Sequence, residues 1–112
     1  MTYIAHIYAM ELPICTITYI EVEETDFQYI FEPDYENIAK LKEFRGIQGI
    51  DLSLRKKTYI RRNIMPSFIF EHNPLPGKKS FHVSQRINGM CLLEYLVHSK
   101  KKYFGDKLEI RP

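Results

Sequence analysis

The sequence predicts a small α+β domain, with an antiparallel sheet and about three short helices. Its 112 residues suit one domain, so residues 1–112 are treated as a single unit. Eight Tyr and seven Phe, without Trp, favour a fold that contains a sheet, because aromatic residues are enriched in strands. Three strand-like segments within the first 31 residues predict an antiparallel meander.

These three strands are separated by short turns. Residues 3–8 are rich in aromatic and β-branched side chains, and a turn at 11–13 follows them. Residues 15–22 form the second predicted strand and residues 27–31 the third. Alternation predicts one shared face that carries Cys15, Ile17, Tyr19 and Glu21 from the second strand and Phe27, Tyr29 and Phe31 from the third.

The middle of the chain predicts a short helix, a strand and an irregular segment. Asp34 can cap a helix that continues to Lys42. Residues 50–54 alternate between apolar and polar side chains, as a strand does. Three prolines lie within residues 64–77, and proline cannot donate a hydrogen bond to a neighbouring strand. That segment is therefore expected to be a helical turn or an irregular loop.

The last part of the chain predicts two helices and a closing strand. Ser80 can cap a helix over residues 81–87. Residues 90–98 predict a second helix, and residues 107–110 the last strand. The second helix is expected to turn four apolar side chains towards the core: Leu92, Leu93, Leu96 and Val97.

The cysteines and the N-terminal residues bear on the compartment. Cys15 and Cys91 are the two thiols. The first residues lack the basic and apolar regions of a signal peptide, and no stretch approaches the ~18 uninterrupted apolar residues of a membrane helix. We therefore expect a cytoplasmic protein with no membrane partner, because free thiols are typical of a reducing compartment.

Charge is divided unevenly along the chain. Residues 1–39 contain eight acidic residues and no Lys or Arg, whereas residues 40–112 contain all 16 basic residues and six acidic ones. Such polarity indicates an interaction surface. The alternative is that the two parts lie side by side and neutralise each other within one fold.

The sequence contains no recognisable catalytic or metal-binding pattern. It has no glycine loop followed by Lys-Ser or Lys-Thr for phosphate, and no serine within a glycine frame. Cys91 and His98 share a helical face but lie ~10 Å apart along its axis, too far for one tetrahedral ion. We therefore expect a protein that is not an enzyme and uses neither a metal nor a cofactor.

Two basic segments interleaved with aromatic residues could bind nucleic acid. They are RKKTYIRRN (55–63) and KKKYF (100–104), in which cations could contact phosphates while a ring stacks on a base. Lys and Arg also end strands and helices for solubility, and the acidic residues of positions 1–39 would repel a nucleic acid. We expect no direct nucleic-acid partner.

Five segments, in order, resemble the N-terminal subdomain of HipA-type toxin kinases, which also occurs as a separate HipS-like antitoxin. IYAMELPICTITY (7–19) is similar to the family's first two strands, and FQYIFEPDYENI (27–38) to its "FxYxxxYL" strand and short helix. IDLSLRKKTY (50–59) resembles "ISLSLPLxxxxY", and PSFIFEHNPLPG (66–77) resembles "PFFxxLLPEG". Residues 80–111 are similar to the closing helices, glycine turn and strand. Pro13-Ile14 departs from the family's usual Val-Gly.

This resemblance implies a non-catalytic antitoxin of a toxin–antitoxin system. Such a protein binds and inhibits a separate HipA- or HipT-like Ser/Thr kinase toxin, and a DNA-binding HipB-like repressor is the further partner considered. An apolar anchor between stiffening prolines, with a basic rim, is the expected contact. The residues implied in partner binding are Tyr59, Arg61, Arg62, Pro66, Phe68, Ile69, Phe70, Leu75, Lys78 and Lys79.

Two alternatives remain open at this point. In the first, Phe68 and Phe70 belong to the protein's own core and fill the open side of the sheet. In the second, the chain is a small phage- or plasmid-encoded inhibitor of a host nuclease, comparable to an anti-CRISPR protein. The acidic residues within positions 21–36 would then mimic nucleic acid.

Overall fold

A computed structural model shows a five-stranded antiparallel sheet accompanied by helices, which confirms the α+β prediction. The structure describes residues 1–23, 25–72, 86–87, 89–98 and 107–112. In chain order the elements are β1 (Thr2–Ala9), β2 (Leu12–Glu23), β3 (Asp26–Pro33), α1 (Tyr35–Ile38), a 3-10 helix (Leu52–Leu54), β4 (Tyr59–Arg62), α2 (Ser67–Glu71), β5 (Arg86–Ile87), β6 (Met90–Cys91), α3 (Leu92–His98) and β7 (Leu108–Arg111).

The sheet has the strand order β4-β3-β2-β1-β7, so the predicted meander forms its centre. The turn between β1 and β2 consists of Met10 and Glu11, which both have positive φ, 51° and 67°. Two such residues match the right-handed twist of paired strands. The turn precedes the predicted position, because an irregularity after Ile7 brings Pro13 into β2 opposite Tyr8.

One face of the meander forms the core, as the alternation predicts. All seven residues predicted for that face are buried, including Glu21, which is 8% exposed. Its carboxylate accepts a hydrogen bond of 2.6 Å from the Tyr19 hydroxyl. The Tyr19 and Tyr29 rings pack 4.9 Å apart between centroids. Aromatic rings from neighbouring strands therefore make up the centre of the core.

Helix α1 begins as predicted and ends earlier. The Asp34 side chain accepts a hydrogen bond from the backbone N–H of Asn37, which caps the helix. Beyond Ile38 the bonds become tighter, with Lys40 N–H donating to Asn37 O and Leu41 N–H to Ile38 O. Such three-residue spacing closes an α-helix, so the prediction of a helix to Lys42 was wrong.

The predicted strand at 50–54 is wrong. Asp51 accepts hydrogen bonds from both the backbone N–H and the hydroxyl of Ser53, which starts the 3-10 helix. Side chains of this kind compete with strand pairing by bonding their own backbone. The fourth strand of the sheet is instead β4, which pairs with β3.

The C-terminal elements agree with the prediction in part. Helix α3 buries Leu92, Leu93 and Leu96 as expected, and Val97 packs against the same core. Most of the predicted helix at 81–87 lies outside the described residues. At its end, β5 pairs with β6, so the chain is extended there, and Gly89 has the positive φ of 79° that a tight turn favours. The last strand, β7, pairs with β1.

Candidate protein-binding surface

The sheet face opposite the core carries a row of aliphatic side chains across four strands. Ile4 of β1 lies opposite Thr18 of β2, Thr18 lies opposite Ile30 of β3, and Ile30 lies opposite Ile60 of β4. Residues opposite each other share a face, and neighbours along a strand alternate between faces. We call this surface the open face, and define it by Ile4, Thr18, Ile20, Ile30 and Ile60.

The open face leaves much of its apolar surface in solvent. Ile4 is 53% exposed and Ile60 is 49% exposed, while Ile20 and Ile30 are half-buried. An isolated exposed aliphatic residue is ordinary, but a contiguous row is typical of a surface that another molecule covers.

Polar residues border this row on both sides. One neighbouring row contains Gln28 opposite Arg62, next to Ile20 of the open face, and the other contains Thr16 opposite Glu32. The Arg62 guanidinium donates a 3.5 Å hydrogen bond to the Gln28 side chain. An apolar centre with a polar margin is the usual anatomy of a protein interface.

Strand β4 is an edge of the sheet. The backbone N–H of Asn63 donates to Phe27 O at 2.8 Å, so alternation along the antiparallel pair turns the main-chain groups of Ile60 and Arg62 away from β3. Among the described residues no strand pairs with that outer side. An exposed edge of this kind can accept another polypeptide segment.

Basic residues concentrate beside this edge. Residues 55–62 contain five basic side chains and no acidic one. Arg55, Lys56, Lys57 and Arg62 are exposed, whereas Arg61 is half-buried and donates a 2.7 Å hydrogen bond to Gly49 O. Arg62, opposite Gln28, therefore places positive charge on the open-face side of the edge, while the Arg55 guanidinium lies 4.7 Å from the centre of the Tyr35 ring.

Phe68 and Ile69 lie in the core, which corrects their assignment to partner binding. Both are 0% exposed, and Pro66, which precedes helix α2, is also buried. The Phe68 ring meets the Phe31 ring edge-on, with 6.4 Å between centroids, and its centroid lies 4.1 Å from that of His72. Helix α2 thus closes one end of the core face, as the alternative interpretation of the segment required.

Tyr59 is also structural and not a surface contact. Its ring is 3% exposed, and its hydroxyl donates to Asp51 O at 2.7 Å and lies 3.1 Å from the Tyr35 hydroxyl. The Tyr35 hydroxyl donates in turn to Lys56 O at 2.6 Å. Desolvation, with the hydrogen bond to Tyr59, raises the pKa of Tyr35 to about 12. This network fixes the loop that leads into β4.

The remaining predicted site residues divide into two groups. Arg62 is exposed at the edge of the open face, while Arg61 and Phe70 are half-buried. Leu75, Lys78 and Lys79 lie outside the described residues. Of the seven predicted residues that the structure describes, Arg62 is therefore the one that is exposed.

Three acidic residues of positions 21–36 lie in different places. Glu21 is buried beneath the sheet, Asp34 caps α1, and Glu32 lies on the open-face side of β3. These three residues therefore do not share one acidic surface. Further along the chain, the Arg111 guanidinium contacts the Glu11 carboxylate at 2.9 Å, which joins the acidic and basic parts within the fold.

The described residues offer little material for chemistry. Within the described ranges, no three His, Cys, Asp or Glu side chains lie close enough to hold a metal ion. Burial raises the pKa of the Cys15 thiol to about 12, which keeps it protonated and unreactive near neutral pH. Each helix in those ranges is too short or too polar to cross a membrane.

Sequence reasoning overlooked the isoleucines of the open face. The alternation correctly identified the side of the sheet that carries the aromatic residues as the core face, and no role was assigned to the residues on the other side. If one side of a sheet faces water, the residues on that side should be polar. Ile4, Ile20 and Ile30 nevertheless lie on that side. Apolar residues in both phases were the signal that could have identified this surface.

No family model, curated protein or solved structure matches this chain. The resemblance to HipA-type kinases rests on its sequence segments and remains a prediction.

Proposed function

We propose that this chain is a non-catalytic regulatory protein that binds a separate HipA-type Ser/Thr kinase and inhibits it, acting as an antitoxin. The contact is made by the open face and the adjoining edge of β4. The observation that carries the proposal is the row of Ile4, Ile30 and Ile60, in which Ile4 and Ile60 are about half exposed, with the exposed Arg62 beside it on β4.

A protein partner suits this surface better than a small ligand does. The open face extends across four strands, and none of its defining residues lines the cavity near the β1–β2 turn, whereas small molecules need enclosure. A flat surface with an apolar centre and polar margin fits an interface of about 1,200–2,000 Å². Ile60 and Ile30 are then the central anchors, in place of the buried Phe68 and Ile69.

The charge of the edge favours an acidic partner surface. Arg62 is exposed and lies on the open-face side of β4, and the exposed Arg55, Lys56 and Lys57 precede that strand in the chain. The resemblance implies a kinase whose nucleotide pocket carries magnesium-binding acidic groups. Complementary charge of this kind steers association and selects the partner, so the basic edge is proposed to face that acidic region and hinder its function.

Affinity purification from the host tests the proposal. A tagged native chain is compared with Ile60→Asp, which places a charge in the middle of the apolar row. Met10→Asp is the matched control, because Met10 is 74% exposed and lies in the turn between β1 and β2, away from the open face. A kinase-fold protein should be retained by the native chain and by the control, lost from Ile60→Asp, and inhibited when the purified native chain is added.

Two results would contradict the proposal. Equal retention of the kinase by Ile60→Asp would show that the open face is not the contact. Retention of a nuclease in place of a kinase would favour the alternative of a nuclease inhibitor.

A further inference from the structure

A cavity of about 600 Å³ lies at the other end of the sheet from the β4 edge. It is bounded by the turn after β1, by the loop over residues 40–48, and by the start of β7. None of the residues that define the open face lines it. Its volume falls within the range of about 300–1,000 Å³ that small-molecule sites occupy.

The floor of the cavity is apolar. Ile47 and Leu108 are buried, while Leu12, Leu41 and Phe44 are half-buried and pack against the core from the same side. An apolar group placed on this floor would be removed from water, which is favourable by roughly 25 cal/mol per Å² of surface. The floor therefore suits the hydrocarbon part of a ligand.

The rim of the cavity is basic. Among the described lining residues, Lys40, Lys42, Arg45 and Lys107 are basic and Glu43 is acidic, which leaves an excess of three positive charges within that set. Among the described residues, none of these four cations forms an ion pair with a carboxylate. Like charges gathered around an apolar cavity repel one another, and a bound anion relieves that repulsion.

The backbone beside the cavity is left-handed at Met10, Glu11 and Lys107, with φ of 51°, 67° and 62°. For Met10 and Glu11 this is the conformation of the turn that joins β1 and β2. Arg111 contacts both oxygens of the Glu11 carboxylate at 2.9 Å, so the acid nearest the turn is already neutralised.

We propose that this cavity binds a small amphiphilic anion, a carboxylate or phosphate carried on a short hydrocarbon body. The anionic group contacts Arg45 and Lys107 on the rim, and the hydrocarbon lies on Leu41, Phe44 and Ile47. This site is separate from the surface proposed for the kinase, so either proposal can fail without the other.

The test titrates the full chain with decyl phosphate and with decanoate, each as a monomer, and follows backbone amide signals by NMR. Saturable binding of both anions, with shifts centred on residues 40–48 and 107–108, is the expected result. Decanol, which has the same chain without the charge, should bind at least tenfold more weakly. Vesicles of phosphatidylglycerol are tested separately. If the chain binds monomeric decyl phosphate and decanoate but not the vesicles, the ligand is a soluble anion. If it binds both, the ligand is a lipid headgroup.

Two variants locate the site. Arg45→Gln combined with Lys107→Gln should weaken decyl phosphate binding about tenfold or more and leave kinase retention unchanged. Lys57→Gln, an exposed cation outside the cavity, should bind like the native chain. The proposal is overturned by an absence of saturable binding to both anions, by decanol binding as tightly as the anions, or by equal effects of the rim and control variants. Binding of an acidic peptide by the chain, without binding of decyl phosphate, would also overturn the proposal.

Discussion

The two faces of the same sheet differ in chemistry more than in hydrophobicity. The core face is aromatic, with Tyr19, Tyr29 and Phe31 at 0% exposure, whereas the open face is aliphatic, with Ile4 and Ile60 about half exposed. Large rings fill the space beneath the helices, while β-branched residues suit a flat strand surface in water. The difference indicates which phase of the alternation builds the fold and which phase is available to a partner.

The same division separates two neighbouring segments. Ile60 and Phe68 are eight positions apart in the sequence. Basic residues flank Ile60, and Phe68 follows the same basic segment. Ile60 faces solvent on the β4 edge, while Phe68 is enclosed beneath the sheet. Substitutions on the two sides of the sheet should therefore differ in their effect on stability.

Removing the Phe68 ring should cause the largest loss of stability. Phe68→Ala leaves a cavity beside Phe31 and is expected to lower the free energy of unfolding by about 3–5 kcal/mol. Urea denaturation followed by circular dichroism measures this. Ile64→Ala is the control, because Ile64 is 63% exposed and should change stability by less than about 0.5 kcal/mol. A similar small effect for Phe68→Ala would place its ring outside the core.

Removing the Tyr19 hydroxyl should weaken the core face by an intermediate amount. Tyr19→Phe keeps the ring and deletes the 2.6 Å hydrogen bond to the buried Glu21 carboxylate. Hydrogen bonds to charged groups contribute about 1.5–3 kcal/mol, and that loss of unfolding free energy is expected in the same assay. Unchanged stability would mean that the bond contributes nothing net.

Alkaline pH should weaken the fold through Cys15. The folded protein holds the pKa of this thiol near 12, above its ordinary value of 9.0, chiefly because burial disfavours the thiolate. Stability is therefore complete below pH 9 and falls as the pH rises from 9 towards 12, by roughly 1–2 kcal/mol at pH 10. Unfolding curves at pH 8 and 10 measure the loss, and Cys15→Ala should show a smaller one. An equal loss in that variant would assign the effect to other groups.

Changing the open face should hardly affect stability. Ile60→Thr keeps a β-branched side chain on an exposed strand position, so the expected change in unfolding free energy is within about 0.5 kcal/mol. Thermal unfolding of the native chain and the variant provides the comparison. A loss above about 2 kcal/mol would show that Ile60 is structural and that the two faces do not divide as described.

Local patterns predicted the sheet well and the burial of the segment around Phe68 poorly. Period-two alternation correctly placed the seven residues that it assigned to the core face of β2 and β3, because burial of one face imposes that period. It missed Ile14, which is buried in the other phase of β2. The strand predicted at 50–54 failed because a single side chain, Asp51, determines a turn there. Phe68 could not be assigned from sequence, since its burial depends on contacts with Phe31, which is 37 positions away.

The wrong assignment of Phe68 and the omission of the open face have one physical origin. Proline-flanked apolar residues look alike whether they close a core or bind a partner, because both roles require a stiff apolar segment. The open face, in contrast, is defined by register, which brings Ile4, Ile30 and Ile60 into line from three separate strands. The register between strands that are distant in the sequence cannot be predicted from the residues of each strand alone.

The most direct test of the account is the affinity of an open-face double variant for the retained kinase. Ile30→Thr combined with Ile60→Thr should weaken Kd by about 30-fold or more, as expected when central anchors are lost, while the thermal unfolding midpoint stays within a few degrees of the native value. A native Kd for a variant that remains folded would contradict the claim that the open face is the binding surface.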